Sequence, residues 1–311
     1  MNARTHGIMA AAGMALLLFL PDLCAQNAQN AARTTRDTLA TLNRIDTFTP
    51  NDTFAPASPA DADLGEQLLL TKSRAYLPFN IGAGYSTTWT SNAFYTPSSP
   101  SSDVIMSAYA EAVALPHLGN NFFFEGAGSI RGFRYFRNPV LDFNAVDASA
   151  GILKVFRELW DVGVYGRYEY NLLFAPGGGE ILHEHSLVTG VRKTFQFSRA
   201  NALFVSAEAD FSLGGNPGYA LAHEFSLFAA HQIDWSRAFN TSLFYQMAVY
   251  DFREGGRADL RNTLGLSASV RPLKWLTLSG SAWLGWNASN EEEYDFFVGN
   301  AGGAITALIS F

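Results

Sequence analysis

The sequence predicts an all-β fold: a transmembrane, antiparallel up-and-down β-barrel of about twelve strands, behind a mostly disordered N-terminal extension. Three observations predict it. From Pro78 onward, apolar residues alternate at period two in segment after segment, as in strands whose two faces meet different surroundings. Aromatic residues make up 14% of the chain and charged residues only 16%, with 27 glycines, a composition suited to a lipid-embedded barrel. The last fifteen residues, FVGNAGGAITALISF, alternate in the same way and stop on an aromatic residue, Phe311.

The chain begins with the marks of a secretory leader over 1–25. Arg4 and His6 form a short polar region, Gly7 to Leu20 is apolar, and Leu23-Cys24-Ala25 offers a cleavage site before Gln26. The apolar run is shorter than the roughly 20 residues a membrane helix requires, and no later stretch approaches that length. Cys24 does not read as a lipidation site, because Pro21-Asp22-Leu23 lacks the small residues that normally precede an acylated cysteine. Cleavage after Ala25 removes the one cysteine, so the mature chain is expected to hold neither disulfides nor thiolate metal sites. The formal charge of −7 argues against nucleic acid as a partner.

Residues 26–75 are rich in Asn, Thr, Ala, Asp and Pro, and Pro50, Pro56 and Pro59 interrupt regular structure. They read as a polar extension, most simply a tether. Two short apolar clusters, Leu39 to Ile45 and Leu64 to Leu70, leave open a plug entering the barrel or a contact for a partner.

The barrel is expected over 76–311. Phe79, Ile81, Ala83, Tyr85, Thr87 and Trp89 alternate along the first strand. Val104 to Ala114, Phe122 to Tyr135 and Phe143 to Phe156 follow, with a turn at Pro116 to Asn120. Val162 to Phe174 is the clearest strand: Val162, Val164, Gly166, Tyr168, Tyr170, Leu172 and Phe174 oppose Tyr165, Arg167, Glu169 and Asn171. Leu182 to Phe195, Leu203 to Leu213, Leu221 to Ile233, Thr241 to Phe252, Leu260 to Val270 and Leu276 to Trp286 lead to the closing strand. An even strand count puts both chain ends on one side. Short connections carry Trp160, Trp235 and Trp275, which read as one interfacial girdle, while Trp89, Trp283 and Trp286 are expected at the opposite rim. Longer connections are expected over Asn92 to Ser102, Pro176 to Glu180, Arg253 to Asp259 and Ala288 to Asp295.

The final strand resembles the closing strand of Gram-negative outer-membrane β-barrel proteins, in which a terminal Phe marks the strand that the insertion machinery recognises. Here Phe311 takes that place, and Thr306 stands where a Gly is common. The resemblance implies a cell outer-membrane location, an N-terminal extension in the periplasm, and membrane lipid, lipopolysaccharide and the barrel-insertion machinery as partners. A weaker resemblance covers Gly84 to Leu115, which is similar to the opening hairpin of the β-barrel porin 2 family. Asn92-Ala93-Phe94 and Asp103-Val104-Ile105 fall at that family's landmarks. It implies a porin-like barrel, sometimes linked with cell-surface polysaccharide systems, and carries over no catalytic residue.

Phasing the strands sends charged residues to the face opposite the aliphatic one: Glu111, Glu125, Arg131, Asp147, Arg167, Glu169, Glu184, Arg192, Glu208, Asp210, Glu224, Arg261 and Arg271. A charge facing lipid near the midplane costs ~2–4 kcal/mol, so a barrel must sort charges in this way. Such residues can simply pair and hydrate one another, or they can line a permeation path whose acidic excess favours cations. Tyr165, Phe204 and Phe228 share their face and narrow the lumen.

Other chemistry is weaker. His183 and His185 point the same way on a strand and could hold a metal, but they share the face of Leu187 and Val191, where imidazoles suit a headgroup layer. His223 and His231 also fall outward. Glu291-Glu292-Glu293 with Asp295 could bind Ca²⁺, and reads more simply as a solvated loop. Gly177-Gly178-Gly179 precedes no helix and is a flexible tip. No catalytic residue, metal site or cofactor is expected. These features predict a passive channel for small hydrophilic solutes. The alternatives are a non-conducting scaffold of a polysaccharide export or surface-assembly system, and a barrel-embedded lipid-modifying enzyme.

Overall fold

The computed structural model describes Ala28, 77–198 and 200–311. The leader over 1–25 and the polar extension over 26–75 lie outside the described residues, apart from Ala28. Among the described residues thirteen strands follow one another: β1 Phe79–Thr90, β2 Asp103–Ala114, β3 His117–Gly119, β4 Phe122–Tyr135, β5 Phe143–Phe156, β6 Val162–Phe174, β7 Glu180–Ser198, β8 Asn201–Asn216, β9 Ala222–Asp234, β10 Phe239–Phe252, β11 Ala258–Leu273, β12 Leu276–Ser289 and β13 Phe296–Ser310. Each long strand pairs antiparallel with its chain neighbours. β1 also pairs with β13, and β2 with β4, so twelve long strands close into a barrel while β3 is a stub folded back on β4.

The twelve predicted strands are the twelve long strands, but their ends differ. β7 and β8 stay paired out to Ser198↔Asn201, well past the apolar alternation that suggests Phe195 and Leu203 as their limits. A backbone ladder needs no apolar side chain to continue. The expected turn over Pro116 to Asn120 contains β3, and Gly119↔Phe122 leaves Asn120-Asn121 as a two-residue hairpin turn. Both asparagines have positive φ, 49° and 62°, as a type I′ turn requires and as Asn tolerates better than most residues.

The start of β1 and the C-terminal Phe311 lie at the same end of the barrel, called here the near end. The N–H of Phe79 donates to the carbonyl of Phe311 at 3.1 Å, and the N–H of Phe311 donates back at 2.9 Å. Their rings stack with centroids 5.8 Å apart. At the far end lie the connections 91–102, 136–142, 175–179, 217–221, 253–257 and 290–295.

Alternation sets the two faces. Along β11, Leu260, Leu264, Leu266 and Val270 point outward, while Asp259, Arg261, Thr263, Ser267 and Ser269 point into the lumen and are buried. Large inward rings are accommodated where the neighbouring strand has glycine. A Cβ on Gly190 would lie 2.5 Å from the Tyr165 hydroxyl, and one on Gly265 would lie 2.2 Å from the Phe244 ring. In both cases the glycine is the registered cross-strand partner of the aromatic residue. The ring therefore lies flat over a gap in the adjacent strand, and pairing, packing and glycine placement specify the same register.

Candidate functional site: the lumen

The inward set begins with what the strands alternate. Every charged residue that the sequence phases inward has its side chain on the inner face: Glu111 on β2, Glu125 and Arg131 on β4, Asp147 on β5, Arg167 and Glu169 on β6, Glu184 and Arg192 on β7, Glu208 and Asp210 on β8, Glu224 on β9, and Arg261 and Arg271 on β11.

These groups are brought together unevenly. Arg167 Nε donates to Glu169 Oε1 at 2.5 Å, and its Nη2 reaches Glu208 Oε2 at 3.4 Å, passing over β7 to do so. Arg192 on β7 donates to Glu125 on β4, a bond that spans the two strands between them. Both guanidiniums also sit 5.0 Å from the centroid of the Tyr165 ring. Asp147 Oδ2 accepts the Ser129 hydroxyl at 2.9 Å. Arg131 lies over Tyr109 at 5.8 Å, and its buried Nε and Nη1 have no hydrogen-bond partner among the described residues. Arg261 is set apart near the far end, over Tyr250 at 5.0 Å and Phe296 at 5.4 Å.

The charge is concentrated on one wall. From β2 to β9 the inner face carries the acidic groups and Arg131, Arg167 and Arg192. From β12 through β13 to β1 it carries Thr277, Ser279, Ser281, Gly302, Thr306, Asn80, Ser86 and Thr88, without a formal charge. A charged wall thus faces a hydroxyl- and amide-lined one.

Aromatic residues narrow the space between them. Tyr165 and Phe204 are inward and buried, and Phe204, Phe228 and Phe244 form a row across β8, β9 and β10 with centroids 5.9 and 6.4 Å apart. Toward the far end, Phe133, Tyr135, Phe143, Leu173, Leu182, Phe296 and Val298 form one packed cluster with the loop residues Ala93, Tyr95, Leu141 and Ala220. Phe133 and Phe143 stack at 4.4 Å.

Three polar residues that hold this mouth lie outside the inward set read from the sequence. Asp103 accepts the N–H of Val104 at 2.7 Å, of Arg137 at 2.9 Å and of Asn138 at 3.0 Å, so it fastens the loop over 136–142 to the start of β2. Asn92 donates to the carbonyls of Thr96 and Phe297. Asp259 accepts from Arg257 and from Asn287, and Arg257 in turn lies between the rings of Phe252 and Tyr294, 4.1 and 3.5 Å from their centroids. Partial burial raises the Tyr294 hydroxyl above its ordinary pKa, so this stack stays neutral on the tyrosine side across physiological pH. Asn92 and Asp103 both lie in the opening hairpin over Gly84 to Leu115. Nothing comparable marks Asp259.

The outward candidates also have defined places. Trp160, Trp235 and Trp275 stand exposed at the near-end turns, and Trp89 and Trp286 point outward toward the far end. Trp283 corrects the expectation of an outer-rim position. It faces the lumen and packs against Ala230 and Phe244. Trp283 and Trp286 are three residues apart on one strand, so they cannot share a face. His183 and His185 point outward as phased. His183 Nδ1 lies 2.7 Å from Glu180 Oε1, and His185 Nδ1 bonds the Tyr168 hydroxyl. Each ring is thus engaged by a neighbour along the outer surface. Asp295 accepts the Ser289 N–H at 2.7 Å, which gives it a turn-forming role in the acidic loop. Among the described residues, no group of three or more His, Cys, Asp or Glu is placed to hold a metal ion, and no helix is long and apolar enough to cross a membrane.

No protein-family model matches the chain, and no curated protein does. Solved structures do. An outer-membrane channel from Pseudomonas putida F1 superposes with a TM-score of 0.53 at 10% identity, covering 76% of this chain and 97% of the other. The translocator domain of the autotransporter NalP from Neisseria meningitidis gives 0.40 at 12% identity, with 76% and 90% covered. The KdgM porin in complex with disordered oligogalacturonate gives 0.40 at 6%, with 73% and 98% covered. What the Pseudomonas likeness carries is the fold: a closed antiparallel barrel of the outer-membrane type.

Proposed function

We propose that this chain is a porin-like channel of a Gram-negative outer membrane, passing small hydrophilic solutes passively and preferring cations. Its near end, with Phe79 and Phe311, faces the periplasm. The observation that supports this reading is the charged wall. Between β2 and β9 the inner face holds Glu111, Glu125, Asp147, Glu169, Glu184, Glu208, Asp210 and Glu224 against Arg131, Arg167 and Arg192. An excess of carboxylates in a confined space lowers the energy of a cation within it and raises that of an anion. The hydroxyl-lined wall opposite replaces part of a solute's hydration.

The packed cluster at the far end favours a second reading, a non-conducting scaffold. Purified protein in a planar bilayer separates the two. The channel reading expects discrete conductance steps and a reversal potential, in a KCl gradient, on the cation side. It also expects Glu208→Gln combined with Asp210→Asn to shift that potential toward chloride. A silent bilayer at all voltages, with folded barrel recovered from it, supports the scaffold.

A further inference from the structure

Lysine is distributed unevenly over the barrel. Among the described residues there are three, Lys154, Lys193 and Lys274, and all lie toward the near end. Two of them stand on the outer wall. Lys154 is two residues from the end of β5, in register with Phe122 on β4 and with the outward Val164 on β6, which is itself in register with Val191 on β7. Lys193 follows the inward Arg192 and so points outward, two residues beyond Val191. A cation on the lipid face is tolerated near the interface rather than at the midplane, and its amine reaches for the headgroups.

Both amines are held in place without being neutralised. Lys154 Nζ lies 4.4 Å from the centroid of the Phe122 ring and 5.0 Å from that of Phe156. Lys193 Nζ lies 5.1 Å from the centroid of the Phe195 ring and donates to the carbonyl of Trp160. Neither lysine forms an ion pair with a described residue, although Glu158 and Asp161 stand exposed in the adjoining turn. In that turn Trp160 and Asp161 have successive positive φ values, 56° and 62°, and the indole is 81% exposed.

We propose that the outer wall of β5, β6 and β7 at the near end is a binding site for one net-anionic phospholipid. Lys154 and Lys193 attract its phosphate from either side of β6, its chains run along Val162, Val164 and Val191, and Trp160 stands at the depth of its headgroup. The occupant follows from charge. Each basic group near a membrane surface adds attraction for an anionic lipid, and an ammonium gives a phosphate oxygen a charge-assisted hydrogen bond. A zwitterionic headgroup brings its own cation and gains less. The outward cation toward the far end makes no comparable offer. Arg134 already donates to the carbonyls of Phe133 and Phe143 and to Asn144 Oδ1, with Asp142 4.0 Å away.

The site rests on the outer-membrane reading, and its test needs no conduction. The full chain, purified in detergent, is mixed with equal amounts of phosphatidylglycerol and phosphatidylcholine of the same chain length, and the first lipid retained is identified by native mass spectrometry. The site requires phosphatidylglycerol to be retained several-fold over phosphatidylcholine. Lys154→Gln with Lys193→Gln should bring the two near parity, Lys154→Arg with Lys193→Arg should keep the preference, and Lys274→Gln should leave it unchanged. Heat-modifiable gel mobility shows that each variant is folded. Parity in the unaltered chain overturns the proposal, and so does a preference that survives the glutamine pair or is lost with Lys274→Gln instead. A folded barrel that ignores headgroup charge sinks this site alone, because the channel reading is decided by conductance.

Discussion

The hydroxyl of Tyr109 on β2 lies 2.7 Å from that of Thr306 on β13, bridging β1 at the seam where the barrel closes. The residue between them in both registers is Gly84. A Cβ there would stand 2.6 Å from the Tyr109 ring. Sequence, register and closure meet at this point. Glycine on the first strand lets a tyrosine on the second reach a threonine on the last. Gly84→Val should push the ring off the strand and break the bond, with an overpacking cost of about 1–3 kcal/mol. Thr306→Val should cost about 1 kcal/mol, the value of the lost hydrogen bond. Urea unfolding in lipid vesicles, followed by the loss of the heat-modifiable gel mobility of the folded barrel, measures both.

A second relationship ties two separated strands of the charged wall. Arg192 and Glu125 meet over β5 and β6 from β7 and β4, with only small side-chain exposure, 8% and 16%. Glu125→Gln and Arg192→Met, singly and together, should show a coupling free energy of about 0.5–3 kcal/mol in favour of the native pair. Additive effects in the double variant would show that the two charges are hydrated independently.

How far this was legible in the sequence depends on what each feature requires. Strand number and facing follow from alternation alone, so the inward charges could be phased before any pairing was known. Trp283 obeys the same rule: three residues from the outward Trp286, it takes the opposite face and points into the lumen. The bonds among the inward charges were not legible, because Arg192 meets Glu125 only once shear brings β7 and β4 around the ring. Asp259 was hidden for another reason. Its partners Arg257 and Asn287 lie on a loop and a neighbouring strand, and nothing in the local pattern separates it from an ordinary loop acid.

One outward polar group is a sensitive test of the surroundings of the barrel. Asn262 points outward on β11, yet it is buried, and its Oδ1 accepts the Tyr245 hydroxyl at 2.7 Å. In hydrocarbon an amide without its donor is costly, so Tyr245→Phe should destabilise the barrel by about 1–3 kcal/mol. Adding Asn262→Leu to Tyr245→Phe should recover most of that loss. The same unfolding assay in vesicles reads both variants.

Phe311 is expected to matter for assembly as well as stability, since it both stacks on Phe79 and completes the β1–β13 seam through backbone bonds. Deleting it should reduce the folded, heat-modifiable fraction in outer-membrane preparations several-fold. Phe311→Tyr, which keeps the ring, should restore most of it. Quantitative immunoblotting of heated and unheated samples checks this.

A barrel of this kind requires its outward side chains to meet hydrocarbon. A nitroxide scan along β11 from Leu260 to Val270, with the protein in lipid vesicles, tests it most directly. Oxygen accessibility should be high at Leu260, Leu264, Leu266 and Ala268 and low at Arg261, Thr263, Gly265, Ser267 and Ser269, repeating every second residue. Accessibility without that alternation, or preferential quenching of the outward positions by a water-soluble nickel complex at mid-strand, would contradict it.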